Sequence, residues 1–82
     1  MYEKDPVRIF VVEDDPAYTK FLRFVLDLNP DFEVDFFSSG KECLAQLHKK
    51  PSVVTLDYSL PDMEGEKVLK AILEFDPSIS VI

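Results

Sequence analysis

Cysteine occurs once in the 82 residues, at Cys43. An internal disulfide is thereby excluded, and a reducing compartment such as the cytoplasm is the expected setting. Basic residues are scarce: nine Lys and Arg stand against sixteen Asp and Glu, for a formal charge of -7. That balance argues against a direct grip on nucleic acid by this segment, which would repel the phosphate backbone. Long apolar runs are missing as well. The uncharged stretches fall far short of the roughly 20 residues a membrane span needs. The opening Met1-Tyr2-Glu3-Lys4-Asp5-Pro6 is polar and carries no secretory pattern. Neither membrane nor nucleic acid is therefore an expected partner.

What is present suits a single folded domain. Hydrophobic residues make up 46% and charged residues 30% of the chain, ordinary proportions for a globular protein. A chain of this size buries only about 60 to 65% of its unfolded surface, so its stability is expected to be marginal.

The pattern along the chain alternates strand and helix. Val7-Arg8-Ile9-Phe10-Val11-Val12 is an apolar, β-branched run without clean alternation, as expected for a strand covered on both faces. Asp15 then caps a helix that has Pro16 at its first position. Tyr18, Phe21, Leu22, Val25 and Leu26 recur at helical spacing and predict one buried face. Asn29-Pro30-Asp31 stops that helix. Phe32 to Phe37 alternates and suits an edge strand, with Val34 and Phe36 on one side and Glu33 and Asp35 on the other. Ser39 and Glu42 form a capping box ahead of a short helix that buries Cys43, Leu44 and Leu47 and closes at Pro51. Val53 to Leu56 reads as the central strand. After the loop Leu60-Pro61-Asp62-Met63-Glu64-Gly65, the helix carrying Val68, Leu69, Ile72 and Leu73 ends at Asp76-Pro77. Ile79-Ser80-Val81-Ile82 opens a fourth strand. Gly65 is expected to supply a backbone geometry that other residues resist. Such alternation with short connections implies right-handed crossovers and a parallel sheet.

Ligands of such sheets gather at the carboxyl ends of the strands, near the point where the strand order reverses. Glu13 and Asp14 follow the first apolar run and Asp57 follows the third. If these strands are parallel neighbours, the three carboxylates meet at one sheet edge. Like charges that close raise one another's pKa unless a cation neutralises them. A hard divalent ion such as Mg²⁺, held by carboxylates together with water and phosphate oxygens, fits that need. The constellation reads as a metal-assisted phosphate site.

Val11-Val12-Glu13-Asp14-Asp15-Pro16 and Leu56-Asp57-Tyr58-Ser59-Leu60-Pro61-Asp62-Met63-Glu64-Gly65 resemble the receiver domain of two-component response regulators. The resemblance implies a flavodoxin-like, doubly wound α/β fold, here βαβαβαβ without the last helix, strand and helix. It implies that Asp57 accepts a phosphoryl group from a histidine kinase or phosphotransfer protein. By the same resemblance Glu13, Asp14, Asp57 and the backbone carbonyl of Ser59 hold Mg²⁺, while Pro61 and Gly65 shape the pocket loop. Relative to the family, the hydroxyl residue after the fourth strand and the lysine after the fifth are missing. An exposed sheet edge at Ile79 to Ile82 and a half-covered first helix lead us to expect a homo-oligomer or exchange of elements with a second copy.

Plainer readings stand beside these. The acids at Glu13 to Asp15 could simply complement a helix N-terminus, and Asp57 could be a turn residue. Cys43 reads as a small core hydrophobe, His48 as a helix-end residue, Phe36 and Phe37 as packing. Asp62 and Glu64 read as solvated loop residues, and Thr55 as an internal strand residue. An alternative function is a phosphorylation-independent interaction module derived from a receiver. A hydrolase with an aspartyl-phosphate intermediate is disfavoured, because Ser59 stands where such enzymes often place a second aspartate.

Overall fold

In the computed structural model residues 5–82 are described. β1 (Val7–Val12), α1 (Pro16–Leu26), β2 (Phe32–Phe37), α2 (Gly40–Ala45), β3 (Val53–Leu56), α3 (Gly65–Phe75) and β4 (Ser80–Val81) follow one another in chain order, with a 3₁₀ turn at Leu47–Lys49 between α2 and β3. The strands form one sheet in the order β2-β1-β3-β4, and every neighbouring pair is parallel. The chain steps outward from β1 to β2, then crosses back over β1 to build β3 and β4 on the other side. Winding direction thus reverses between β1 and β3. The result is the doubly wound, flavodoxin-like α/β arrangement expected from the sequence.

Helix boundaries follow local chemistry. Asp15 Oδ1 accepts the amide hydrogens of Ala17 at 2.9 Å and Tyr18 at 3.4 Å, and Pro16 occupies the first helical position, where its missing N–H costs nothing. Ser39 Oγ accepts from the Glu42 amide at 3.2 Å. Lys50 closes the 3₁₀ turn in the left-handed region with φ 60°. At the end of α3, Asp76 Oδ1 accepts both the amide and the hydroxyl of Ser78, which turns the chain into β4.

The two faces of the sheet are unequally covered. Successive strand side chains point to opposite faces, so Phe10, Val12, Val54 and Leu56 project together toward α2 and α3. There they form one buried core with Cys43, Leu47, Val68, Ile72 and Ile79. Phe10 is fully buried at its centre and meets Phe37 edge-on, ring centroids 4.8 Å apart. Ile9 and Val11 are buried outside that cluster, on the α1 side, where the Arg23 guanidinium lies 4.2 Å over the Phe36 ring.

The expected buried stripe of α1 is corrected here. No residue of α1 is buried. Leu22 and Leu26 are half-buried, whereas Tyr18, Phe21 and Val25 are exposed, Phe21 to 59%. The helix rests one edge of its apolar stripe against β2, and its outer flank, with Phe21 and Phe24, is exposed. Leu73 of α3 is likewise exposed rather than buried.

Glu33 and Asp35 are not idle on the edge strand. The parallel register places Arg8 opposite Glu33, and its guanidinium reaches Glu33 at 2.7 Å and Asp35 at 3.0 Å. This fork ties β1 to β2 at the end of the sheet opposite the acidic strand tips.

The division of aromatic residues is testable. Phe10→Ala is expected to lower unfolding stability by about 3–5 kcal/mol, the cost of emptying a filled core site. Phe24→Ala, at a side chain 68% exposed, is expected to change it by no more than about 0.5 kcal/mol. Urea denaturation followed by circular dichroism reads both; equal losses would contradict the division.

Candidate functional site

The β1 to β3 pairing sets the position of the acidic residues. Val12 stands opposite Leu56 in the parallel register, and the ladder continues one residue past each strand. Glu13 N–H donates to Phe37 O at 3.0 Å, and Asp57 N–H donates to Val12 O at 3.0 Å. Backbone bonds therefore hold both residues at the carboxyl edge of the sheet, at the reversal in winding.

Their side chains converge. One carboxylate oxygen from each of Glu13, Asp14 and Asp57 lies within 4.8 Å of the others. Glu13 and Asp57 are half-buried and Asp14 is exposed. Beside them opens a crevice of about 260 Å³ lined by Val12, Glu13, Tyr18, Thr55, Asp57 and Ile82. The two half-buried carboxylates are not equivalent. Glu13 Oε2 accepts the Asp14 amide at 3.1 Å and the Asp15 amide at 3.3 Å. Even so, burial, followed by its hydrogen bond to Asp57 and the Asp57 charge, raises the Glu13 pKa above its ordinary value. The Ser59 amide donates to Asp57 Oδ1 at 2.9 Å. That bond is the largest cause holding the Asp57 pKa below its ordinary value. The two shifts run in opposite directions, upward at Glu13 and downward at Asp57.

The remaining sequence-derived residues line the loop after Asp57. Ser59 is exposed and turns its amide to the Asp57 carboxylate. Pro61 is exposed in the same loop, and Gly65 is buried at the start of α3. The reason for glycine differs from the one expected. Gly65 has no positive φ. Instead, a Cβ there would lie 2.5 Å from the Tyr58 Cα and collide with its ring, so the position demands space rather than unusual dihedrals.

Asp62 also departs from expectation. Its side chain accepts the amide hydrogens of Gly40 and Lys41, each at 2.9 Å. Those donors are otherwise unsatisfied at a helix N-terminus, and they hold the Asp62 pKa below its ordinary value. No local sequence signal marks this contact, because the partners lie more than twenty residues earlier in the chain. Cys43 matches its plain reading: it is fully buried, and burial pushes its thiol pKa up to about 11, which leaves it inert.

The response regulator receiver domain family model matches residues 9–82. The transcriptional regulatory protein TrcR of Mycobacterium tuberculosis is 33% identical over 72 residues, covering 87% of this chain and 28% of that protein. A CheY-like receiver domain protein from Methanospirillum hungatei superposes with a TM-score of 0.86 at 27% identity, covering 93% of this chain and 61% of that one. The Mn²⁺-bound form of the response regulator Rcp1 superposes with a TM-score of 0.82 at 28% identity, covering 93% and 63% respectively. The chain thus spans less than two thirds of the length of each of these relatives. Sequence and fold agree along nearly its whole length, and it belongs to the response regulator receiver domain family.

Proposed function

We propose that residues 1–82 form one receiver domain, the N-terminal portion, that serves as a phosphoacceptor in two-component signalling. Asp57 takes a phosphoryl group from a histidine kinase or phosphotransfer protein in a Mg²⁺-dependent reaction, and the new charge switches an output. The observation that carries this reading is the anionic Asp57 beside two further carboxylates at the sheet's reversal point. The family match and the family's signalling role support it. So does the preference of the phosphoryl group's charge for a site where a cation is also drawn.

The donor set fits a hard divalent ion. Three carboxylates within 4.8 Å of one another repel until a cation joins them, and an all-oxygen set with room for water suits Mg²⁺. Glu13, Asp14, Asp57 and the Ser59 carbonyl would hold it, and the Mn²⁺-bound relative supports the same inference. Bound there, the ion supplies charge neutralisation and Lewis-acid stabilisation at the transferring phosphoryl oxygens.

Asp57 performs the chemistry. Its Oδ1 is held by the Ser59 amide, which leaves Oδ2 to attack phosphorus. A carboxylate P–O bond forms, the P–N bond of the phosphohistidine breaks, and the leaving imidazole nitrogen takes a proton from water. The acyl phosphate adds about 1.5 to 2 negative charges at a strand end next to Glu13 and Asp14. No separate substrate is turned over. Among the described residues no helix is long and apolar enough to cross a membrane, which supports a cytoplasmic setting. The exposed aromatics of α1 and the outer edge of β4 support association with a second copy.

Incubation with acetyl phosphate and Mg²⁺, followed by mass spectrometry, is expected to show one acid-stable, base-labile phosphoryl group on Asp57. Asp57→Asn or EDTA is expected to abolish it. An unmodified wild type would overturn the reading. A second outcome follows from the burial of Glu13 beside Asp57. A raised Glu13 pKa means that its contribution to stability is full below its ordinary value of 4.5 and is lost as pH rises through the folded value. At neutral pH its charge therefore costs stability. Without divalent cation, Glu13→Gln is expected to melt a few degrees higher than wild type at pH 7 and to lose that advantage near pH 4 (about the usual carboxylate range). Added Mg²⁺ is expected to stabilise the wild type more than the variant. A variant that melts lower than wild type at pH 7 would contradict the account.

A further inference from the structure

The loop between β3 and α3 carries the groups closest to Asp57, yet it contains no helix or strand of its own from Tyr58 to Glu64. Two features anchor it. At its end, Gly65 packs directly under Tyr58. In its middle, Asp62 reaches across to α2, Oδ1 accepting from Gly40 N–H and Oδ2 from Lys41 N–H, both at 2.9 Å. Carboxylate bonds to backbone amides are charge-assisted and stronger than neutral ones, and using both oxygens fixes orientation as well as distance. Met63 seats the same contact, its Sδ 3.1 Å from the place a Gly40 Cβ would take. Gly40 is buried against Val68 of α3, so the amides that Asp62 grips belong to a packed part of the molecule.

We propose that Asp62 is a positioning residue for phosphoryl transfer: its two-pronged hold on α2 fixes the loop that presents Ser59, and through Ser59 the Asp57 carboxylate. The proposal rests on the phosphoacceptor reading of Asp57. Asp62 makes no contact with the reacting atoms. It acts through the Ser59 amide, whose 2.9 Å bond holds Asp57 Oδ1. Reactions that depend on placement lose rate steeply when a supporting group is released, by up to about a hundredfold for a displacement near 1 Å.

The competing view is that Asp62 only caps α2. Ser39 separates the two, because its hydroxyl caps the same helix at the Glu42 amide, a bond that involves no residue of the loop. Phosphorylation of the full chain by acetyl phosphate is measured across Mg²⁺ concentrations, at a temperature where circular dichroism shows every variant folded. Asp62→Ala is expected to react about tenfold more slowly at saturating Mg²⁺ and to need more Mg²⁺ for half-maximal rate. Asp62→Asn, which keeps one acceptor, is expected to fall between Asp62→Ala and wild type. Ser39→Ala is expected to lower the melting temperature and leave both kinetic values unchanged. Wild-type kinetics in Asp62→Ala, or an equal slowing in Ser39→Ala, would overturn the clamp while leaving the phosphoacceptor reading intact. An unreactive wild type would overturn both.

Discussion

The pairing of β1 with β3 is the constraint on which the rest depends. Because the strands are parallel and Val12 faces Leu56, their carboxyl ends emerge side by side, and whatever follows each strand shares one pocket. An antiparallel pairing would send Asp57 to the opposite end of the sheet from Glu13. Nothing local in either acidic stretch achieves the juxtaposition. It is produced by apolar strands that must be covered on both faces, and so need crossover helices between them.

That arrangement has an electrostatic cost which the core offsets. Three carboxylates gathered within 4.8 Å of one another repel, and burial, with a smaller contribution from the Asp57 charge, raises the pKa of Glu13. The sheet tolerates it because its α2 and α3 side is densely filled around Phe10. The α1 side is thinner, with aromatics left in solvent. The acidic end is thus pinned by backbone bonds at Glu13 and Asp57 and by a filled core on one face. The other face leaves apolar side chains of α1 exposed.

Much of this was legible from residue order. The helix start at Asp15-Pro16, the edge character of Phe32 to Phe37 and the convergence of Glu13, Asp14 and Asp57 are short-range chemistry or follow from strand and helix alternation. What stayed hidden depends on distance in three dimensions. Asp62 read as a solvated loop residue because its amide partners lie on another helix. Gly65 suggested an unusual dihedral, since crowding by the Tyr58 backbone has no signature in sequence. The α1 stripe has helical periodicity whether or not a neighbour covers it, so periodicity alone overstated its burial. The link from Arg8 to Glu33 and Asp35 needed the strand register.

The central claim is that the two strand tips form one cation site. Paramagnetic broadening of backbone amide resonances during titration with Mn²⁺ tests it most directly. The account predicts losses concentrated at Glu13, Asp14, Asp57, Tyr58 and Ser59 at low ion concentration, reversed by excess Mg²⁺. Broadening that is spread over the acidic surface, or centred at Glu33 and Asp35, would contradict it.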